Sequence, residues 1–479
     1  MTPPSVTLPG PAPPAPAPLG FEGVRDVATA HAAFRAWMFG QALPLWAGAG
    51  ADAVHGGAHE ALRLDGTPAG LPYKRMRVQA RQIYAFSHAA LLGWAPGRDA
   101  AADAYAFITR HGACPDGAWA RRLTPDGAVL DPAADLYDLA FVLFALAWHA
   151  RLTGSEEPLA RARLTAGWIA ERMAHPLGGH HNVLPREDGP RQQNPHMHLL
   201  EAVLALYETT GDAFYADQAH ALVALFRRRL FDPATGTLGE FFDDDWTPAP
   251  GDAGTHVEPG HHLEWAWLLD QYARLTGRDA EAEIGLLYGF ALRHGTDPAT
   301  GLVWDAVGRD GTPRLRGFRL WPQTEALKAH AVMAHRGGDG LALVASAVRG
   351  IGTRFLQGCP AGAWTDQLDA AGAPASRLIP ASSLYHVFMA YAELDGLAGR
   401  AGQIGEQPTS PSPSGRGGRA AIPGPAASGP ARRRAPGSDA PAPPRRGRPP
   451  GSAPCWPASR ASPARTTAAP CRRAHRPEW

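Results

Sequence analysis

GAWARRLTPDGAVL (Gly117–Leu130) and, after a short link, DLYDLAFVLFALAWHARLTG (Asp135–Gly154) decide how this chain is built. The first stretch is opened by a glycine and carries an Asp-Gly pair inside an alternating pattern, which is the signal of a tight β-hairpin. In the second, apolar residues at Leu136, Leu139, Ala140 and Leu143 recur at helical spacing. A glycine after Leu152-Thr153 marks the helix end. The hairpin stretch has five more copies: GGAHEALRLDGTP from Gly56, GGHHNVLPREDGP from Gly178, GTLGEFFDDDWTP from Gly236, GLVWDAVGRDGTP from Gly301 and GAWTDQLDAAGAP from Gly362.

Between consecutive copies lies room for two helices. The periodicity predicts twelve, over 26–46, 73–93, 97–111, 133–153, 156–174, 195–210, 212–230, 258–276, 279–294, 321–336, 338–356 and 381–398. The helix after each hairpin is the more apolar and aromatic of its pair, as expected of one packed on both sides. Six such units predict an all-α fold, a closed (α/α)6 barrel with short β-hairpins at one end. An open helical scaffold is the alternative, but it needs no hairpin in every repeat.

Composition narrows the function classes. Mean hydropathy is −0.23 and 45% of residues are hydrophobic, values of a globular chain with a sizeable core. Of the 46 basic and 45 acidic residues, 14 basic and three acidic fall from Arg400 onward, so 32 and 42 remain for the body. An acidic body has no electrostatic case for nucleic acid. The longest apolar run, Leu139–Trp148, is too short for a bilayer. The Pro-rich start lacks the features of a signal peptide, so a cytoplasmic location is expected. Cys114, Cys359, Cys455 and Cys471 show no metal or disulfide spacing. The expected domains are a disordered N-terminus (1–20), one barrel (21–399) and a disordered Pro/Arg-rich tail (400–479).

Because every inner helix starts from a hairpin on the same side, polar residues near those starts converge on one cavity. They cluster in Arg75–Phe86, Asp135–Phe141, Arg191–Ala202, Glu258–Trp267, Arg319–Leu327 and Pro380–Tyr391. Arginines, histidines, carboxylates and stacking aromatics together suit a carbohydrate and acid/base chemistry. A lone histidine on an apolar helix face is more often a hydrogen-bonded core residue, and that bland reading stays with His88, His196 and His262.

Five motifs resemble, in order over residues 25–398, the N-acylglucosamine 2-epimerase family. RVQARQIYAFSHA (Arg77–Ala89) looks like its arginine-bearing second helix, and Asn194-Pro-His-Met-His198-Leu-Leu-Glu201-Ala its sixth-helix motif. Gly260-His261-His-Leu-Glu264-Trp, Trp321-x-Gln323-x-Glu325 and Leu384-Tyr385-His386 are similar to the eighth-helix, tenth-helix and terminal elements. The family's disaccharide epimerases carry a tryptophan about one turn before the terminal histidine, where Ala381 stands here. That departure is more like the mannose isomerase and mannose-6-phosphate-isomerase-like branch.

The resemblance implies a cofactor-free, metal-independent enzyme. It would interconvert an aldose and its ketose, mannose/fructose in type and free or phosphorylated, through a cis-enediol; 2-epimerisation is the alternative. His261 and His386 would be catalytic, the first in ring opening and the second as the C1/C2 proton shuttle. Arg81 would stabilise the enediolate; Asn194, His198, Glu264 and Glu325 would bind or tune, and Tyr137 and Trp321 would wall the pocket. Glu201 and Glu325 also have a bland reading, as partners of arginines. Lys74, Arg75, Arg77 and Arg191 are the cations on offer to a phosphate. An inverting glycosidase using Asp138, Glu264 or Glu325, a zinc site on His196, His198, His261 and His262, and a non-catalytic sugar-binding barrel are the rivals. The expected partner is the monosaccharide or sugar phosphate alone, without nucleic acid or membrane, on a monomer or homodimer.

Overall fold

A computed structural model describes residues 20–337 and 340–405. The Pro-rich start and the Pro/Arg-rich tail expected to be disordered lie outside them, apart from Gly20 and the helical turn that ends at Gly405. Within the described residues, twelve helices form a double ring. Six are outer: α1 (Val27–Trp37), α3 (Gly97–His111), α5 (Glu157–Trp168), α7 (Ala213–Leu225), α9 (Glu281–His294) and α11 (Gly340–Ile351). Six are inner: α2 (Met76–Leu91), α4 (Leu136–Thr153), α6 (Asn194–Thr210), α8 (Pro259–Thr276), α10 (Leu320–His335) and α12 (Ser383–Gly405). The chain is thus an (α/α)6 barrel.

Burial separates the two rings as the patterning requires. In α4, all but four of 18 residues are buried, whereas α5 buries four of 12. By length and composition α4 passes for a membrane span, but its apolar surface is spent on neighbours within the barrel. Gly154 and Gly277 end α4 and α8 in the left-handed conformation, φ 69° and 68°, where a Cβ would be strained.

The inner helices start later than periodicity alone suggests at 73 and 133, because the residues just before them are strands. Lys74–Arg75 pairs with Arg122–Leu123 of the next hairpin, and Ala134–Asp135 pairs with Val183–Leu184. The same step repeats as 191–192 on 241–242, 256–257 on 307–308 and 318–319 on 367–368. The last, Leu378–Pro380, returns to Ala61–Arg63 of the first hairpin. Stacking of the fully buried Trp46 and Trp364 indoles at 4.8 Å joins the same two ends. These contacts join the first and last repeats and close the ring.

A polar side chain in the first turn of four inner helices clamps the turn that precedes it. Gln79 accepts from Ala58 N at 2.7 Å and donates to Ala58 O at 2.9 Å, and Gln323 treats Val303 likewise. His196 and His262 each accept a backbone N–H through Nε2, from His180 and Leu238. Replacing Gln79 with Ala orphans two buried backbone groups, so a loss of about 1–3 kcal/mol is expected, read as a lowered Tm. Turnover should stay near wild type, because the clamp lies outside the cavity.

Candidate active site

His261 sits in the first turn of α8, 3% exposed, with Nδ1 2.9 Å from Glu240 Oε2 and 4.0 Å from Glu258 Oε2. Burial pushes its pKa down, but Glu240, backed by Glu258, outweighs that and lifts it to about 9. Its ring leans on the Trp321 indole at 4.9 Å. The same indole lies 5.8 Å from the ring of His386, from α12. The Nδ1 of His386 is 2.9 Å from Glu325 Oε1. Burial, with the Arg81 and Lys328 cations nearby, holds this second imidazole well below the ordinary histidine range. One indole therefore contacts two imidazoles whose surroundings shift them in opposite directions.

Several other residues singled out from the sequence lie close to these two histidines. Glu264, Glu325 and His386 each present an atom within 4.8 Å of the others. Burial and the adjoining Glu325 raise the Glu264 carboxyl well above the carboxylate range, so it is a neutral acid. His198 reaches Glu201 at 3.0 Å and Glu264 at 3.9 Å, and its ring meets Tyr137 at 5.0 Å. Asn194 lies one turn before His198 on α6, buried, with no partner on Oδ1 among the described residues.

Arg81 is 5% exposed and donates to Tyr137 Oη at 2.8 Å and Ser382 O at 3.5 Å. Its guanidinium lies 4.1 Å from the Phe141 ring centre and 5.0 Å from that of Tyr385. Among the described residues no carboxylate pairs with it. A buried cation without a counter-ion is costly and is held ready for negative charge brought by a ligand.

The other cations near the helix starts are engaged. Lys74 holds Asp52 at 2.9 Å and two carbonyls, Arg75 holds Glu60 and Arg77 holds Asp138. Arg191 stacks at 3.5 Å on Trp246 and donates to Gly178 O at 2.8 Å. The four-histidine zinc arrangement does not form: His196 and His262 are the backbone clamps of the fold, and their Nδ1 atoms face carbonyls. The expected arginine partners of Glu201 and Glu325 are also replaced. Glu201 accepts from Tyr385 Oη at 2.5 Å and pairs with His198, while Glu325 takes His386 and Lys328, the latter at 2.6 Å.

Glu240 escaped the sequence reading. It is a lone carboxylate in the otherwise apolar run Leu238-Gly239-Glu240-Phe241-Phe242, in the link between two short strands, and that isolation was the available signal. Gln193 Nε2 also donates to it, at 2.9 Å.

The N-acylglucosamine 2-epimerase (GlcNAc 2-epimerase) family profile matches residues 56–390. A mannose-6-phosphate isomerase of Rhizobium meliloti (strain 1021) is 36% identical over 372 residues, 75% of this chain and 95% of that protein. A D-mannose isomerase of Thermobifida fusca is 32% identical over 346 residues, 65% of this chain and 81% of that one. In fold, the chain superposes on the cellobiose 2-epimerase of Spirochaeta thermophila DSM 6192 with TM-score 0.71, at 24% identity, covering 78% of this chain and 98% of the other. Matched over most of its barrel, this chain belongs to the N-acylglucosamine 2-epimerase family.

Proposed function

We propose that the protein is an aldose–ketose isomerase acting on a free hexose of the mannose/fructose type. The observation that carries this reading is the pair of imidazoles, His261 and His386, both packed on Trp321 and shifted in opposite directions by their surroundings. An aldose C2 proton leaves only when its charge spreads into a carbonyl, so the ring opens first. Protonated His261 gives a proton to the ring oxygen, and the imidazole so neutralised takes the anomeric hydroxyl's proton as the ring opens, which restores its charge. Neutral His386 then takes the C2 proton, and the charge moves onto O1, where Arg81 donates hydrogen bonds. The O2 proton passes to O1, and His386 returns its proton to C1, giving the ketose. Neutral Glu264, with His198 and Asn194, orients hydroxyls; Tyr137 and Trp321 wall the cavity.

A free rather than phosphorylated sugar is favoured because Lys74, Arg75, Arg77 and Arg191 are spent on partners of the protein itself. An inverting hydrolase is disfavoured on geometry. It needs carboxylates about 6.5–9.5 Å apart, whereas those of Glu264 and Glu325 approach within 4.8 Å, and Asp138 is tied to Arg77.

The test is incubation in D2O with mannose, mannose 6-phosphate, lyxose and N-acetylmannosamine, followed by NMR. Fructose carrying deuterium at C1 is expected from mannose, with mannose 6-phosphate turned over more slowly. A deuterated epimeric aldose as the sole product would make the protein an epimerase instead. The pH profile has a definite sign. Activity needs His261 charged and His386 neutral, so kcat falls as pH rises through about 9. On the acid side it holds to well below the usual histidine midpoint of about 6.5.

A further inference from the structure

Lys328 is one of the two lysines in the whole chain, and it is fully buried in α10. Its ammonium lies 2.6 Å from Glu325 Oε2, 3.4 Å from Met389 Sδ and 3.9 Å from the Trp267 ring centre. Only one of these three neighbours is an anion, although the surroundings are rich in carboxyls. Glu264 faces it from α8, Glu201 from α6 and Glu393 from α12. The imidazoles of His386, His198 and His261 and the Arg81 guanidinium are further charged or titratable groups around this cluster.

Four carboxyls buried around one ammonium cannot all ionise, since each further charge in a low dielectric costs several kcal/mol. The direct ion pair selects Glu325 as the one that does. Glu325 Oε2 takes the ammonium and Oε1 takes His386 Nδ1. A carboxylate on Nδ1 keeps the proton on that nitrogen and leaves Nε2 as the basic one.

Resting on the reading of His386 as the proton shuttle, we propose that Lys328 is a positioning residue for proton transfer. Its ammonium keeps Glu325 anionic, and Glu325 sets the tautomer of His386 and stabilises the imidazolium formed when the C2 proton arrives. Lys328 itself touches no substrate. Without the ammonium, Glu325 takes up a proton, the Nδ1 hydrogen bond loses its direction, and both tautomers of His386 populate.

The test is Lys328→Met in the full chain labelled with 15N-histidine, with His386 assigned by its disappearance in His386→Ala. Long-range 1H–15N spectra should show wild-type His386 with the proton on Nδ1, and a mixed or Nε2–H signature in the variant. The expected kinetic change is at least about a tenfold loss of kcat, with KM moved less than about threefold and the pH profile displaced. Superposition of the His386 spectrum and of the pH profile on wild type overturns the proposal. Should Lys328→Met alone not fold, Lys328→Gln, which keeps Glu325 and a donor beside it and removes only the charge, is read in its place. There a wild-type His386 signature overturns the proposal, and a displaced one supports it. The spectra need no substrate, so they judge the positioning role even if the protein turned no hexose over.

Discussion

Replacing His386 with Ala is expected to lower kcat by at least about 10²-fold, the low end for general acid–base catalysis and about 2.7 kcal/mol in the barrier. KM should change little, because the lost interaction is made in the transition state. The same variant should stop deuterium entering C1 of fructose in D2O, since the group that exchanges the C2 proton is gone. The imidazole fills a buried site beside Trp321 and Tyr385, so its removal also leaves a small cavity and an unanswered Glu325 Oε1. His386→Asn keeps a donor to that oxygen and separates the two effects. It should fold like wild type and remain as inactive as His386→Ala. Near-normal turnover in His386→Asn would remove His386 from the mechanism.

Arg81→Met should cost about 10²–10³-fold in kcat, the range for losing a donor aimed at a developing oxyanion. Its effect on stability has a less usual sign. Removing one partner of a buried ion pair is strongly destabilising because it strands the other. Among the described residues Arg81 strands no carboxylate; only the Tyr137 hydroxyl and the Ser382 carbonyl lose a hydrogen bond. A methionine keeps the aliphatic contacts with Phe141 and Tyr385 and removes a desolvated charge. The expected outcome is thus a nearly inactive protein whose Tm is unchanged or higher, a trade of stability for activity at one residue. Lower Tm together with wild-type kcat would show that the guanidinium serves the fold and not the reaction.

How much of this was legible in advance differs between levels. The glycine turns and the twelve helices follow from local patterns and the 3.6-residue period, which depend on neighbours a few residues away. The expected hairpin at 178–190 forms no internal ladder among the described residues, its Val183–Leu184 pairing instead with Ala134–Asp135. The strands at 74–75 and 134–135 were read as helix because their pairing partners lie in the next repeat, nearly 50 residues on. The residues of the site were legible as types at inner-helix starts, and the ordered family motifs singled out His261 and His386 from the other histidines. Their states were not. His261 and its neighbour His262 follow one another in sequence, yet one meets Glu240 and the other the Leu238 amide.

By itself, then, the sequence determined the repeat, the ring of helix pairs and which side chains stand at its mouth, since period and turn chemistry are written locally. Only the tertiary structure decided which cations are spent and which is free, and which imidazole is charged. Charge in a buried site depends on dielectric and on partners from other elements: Glu240 for His261, Glu325 and Lys328 for His386. Those partners are brought together by closure of the ring, not by proximity along the chain.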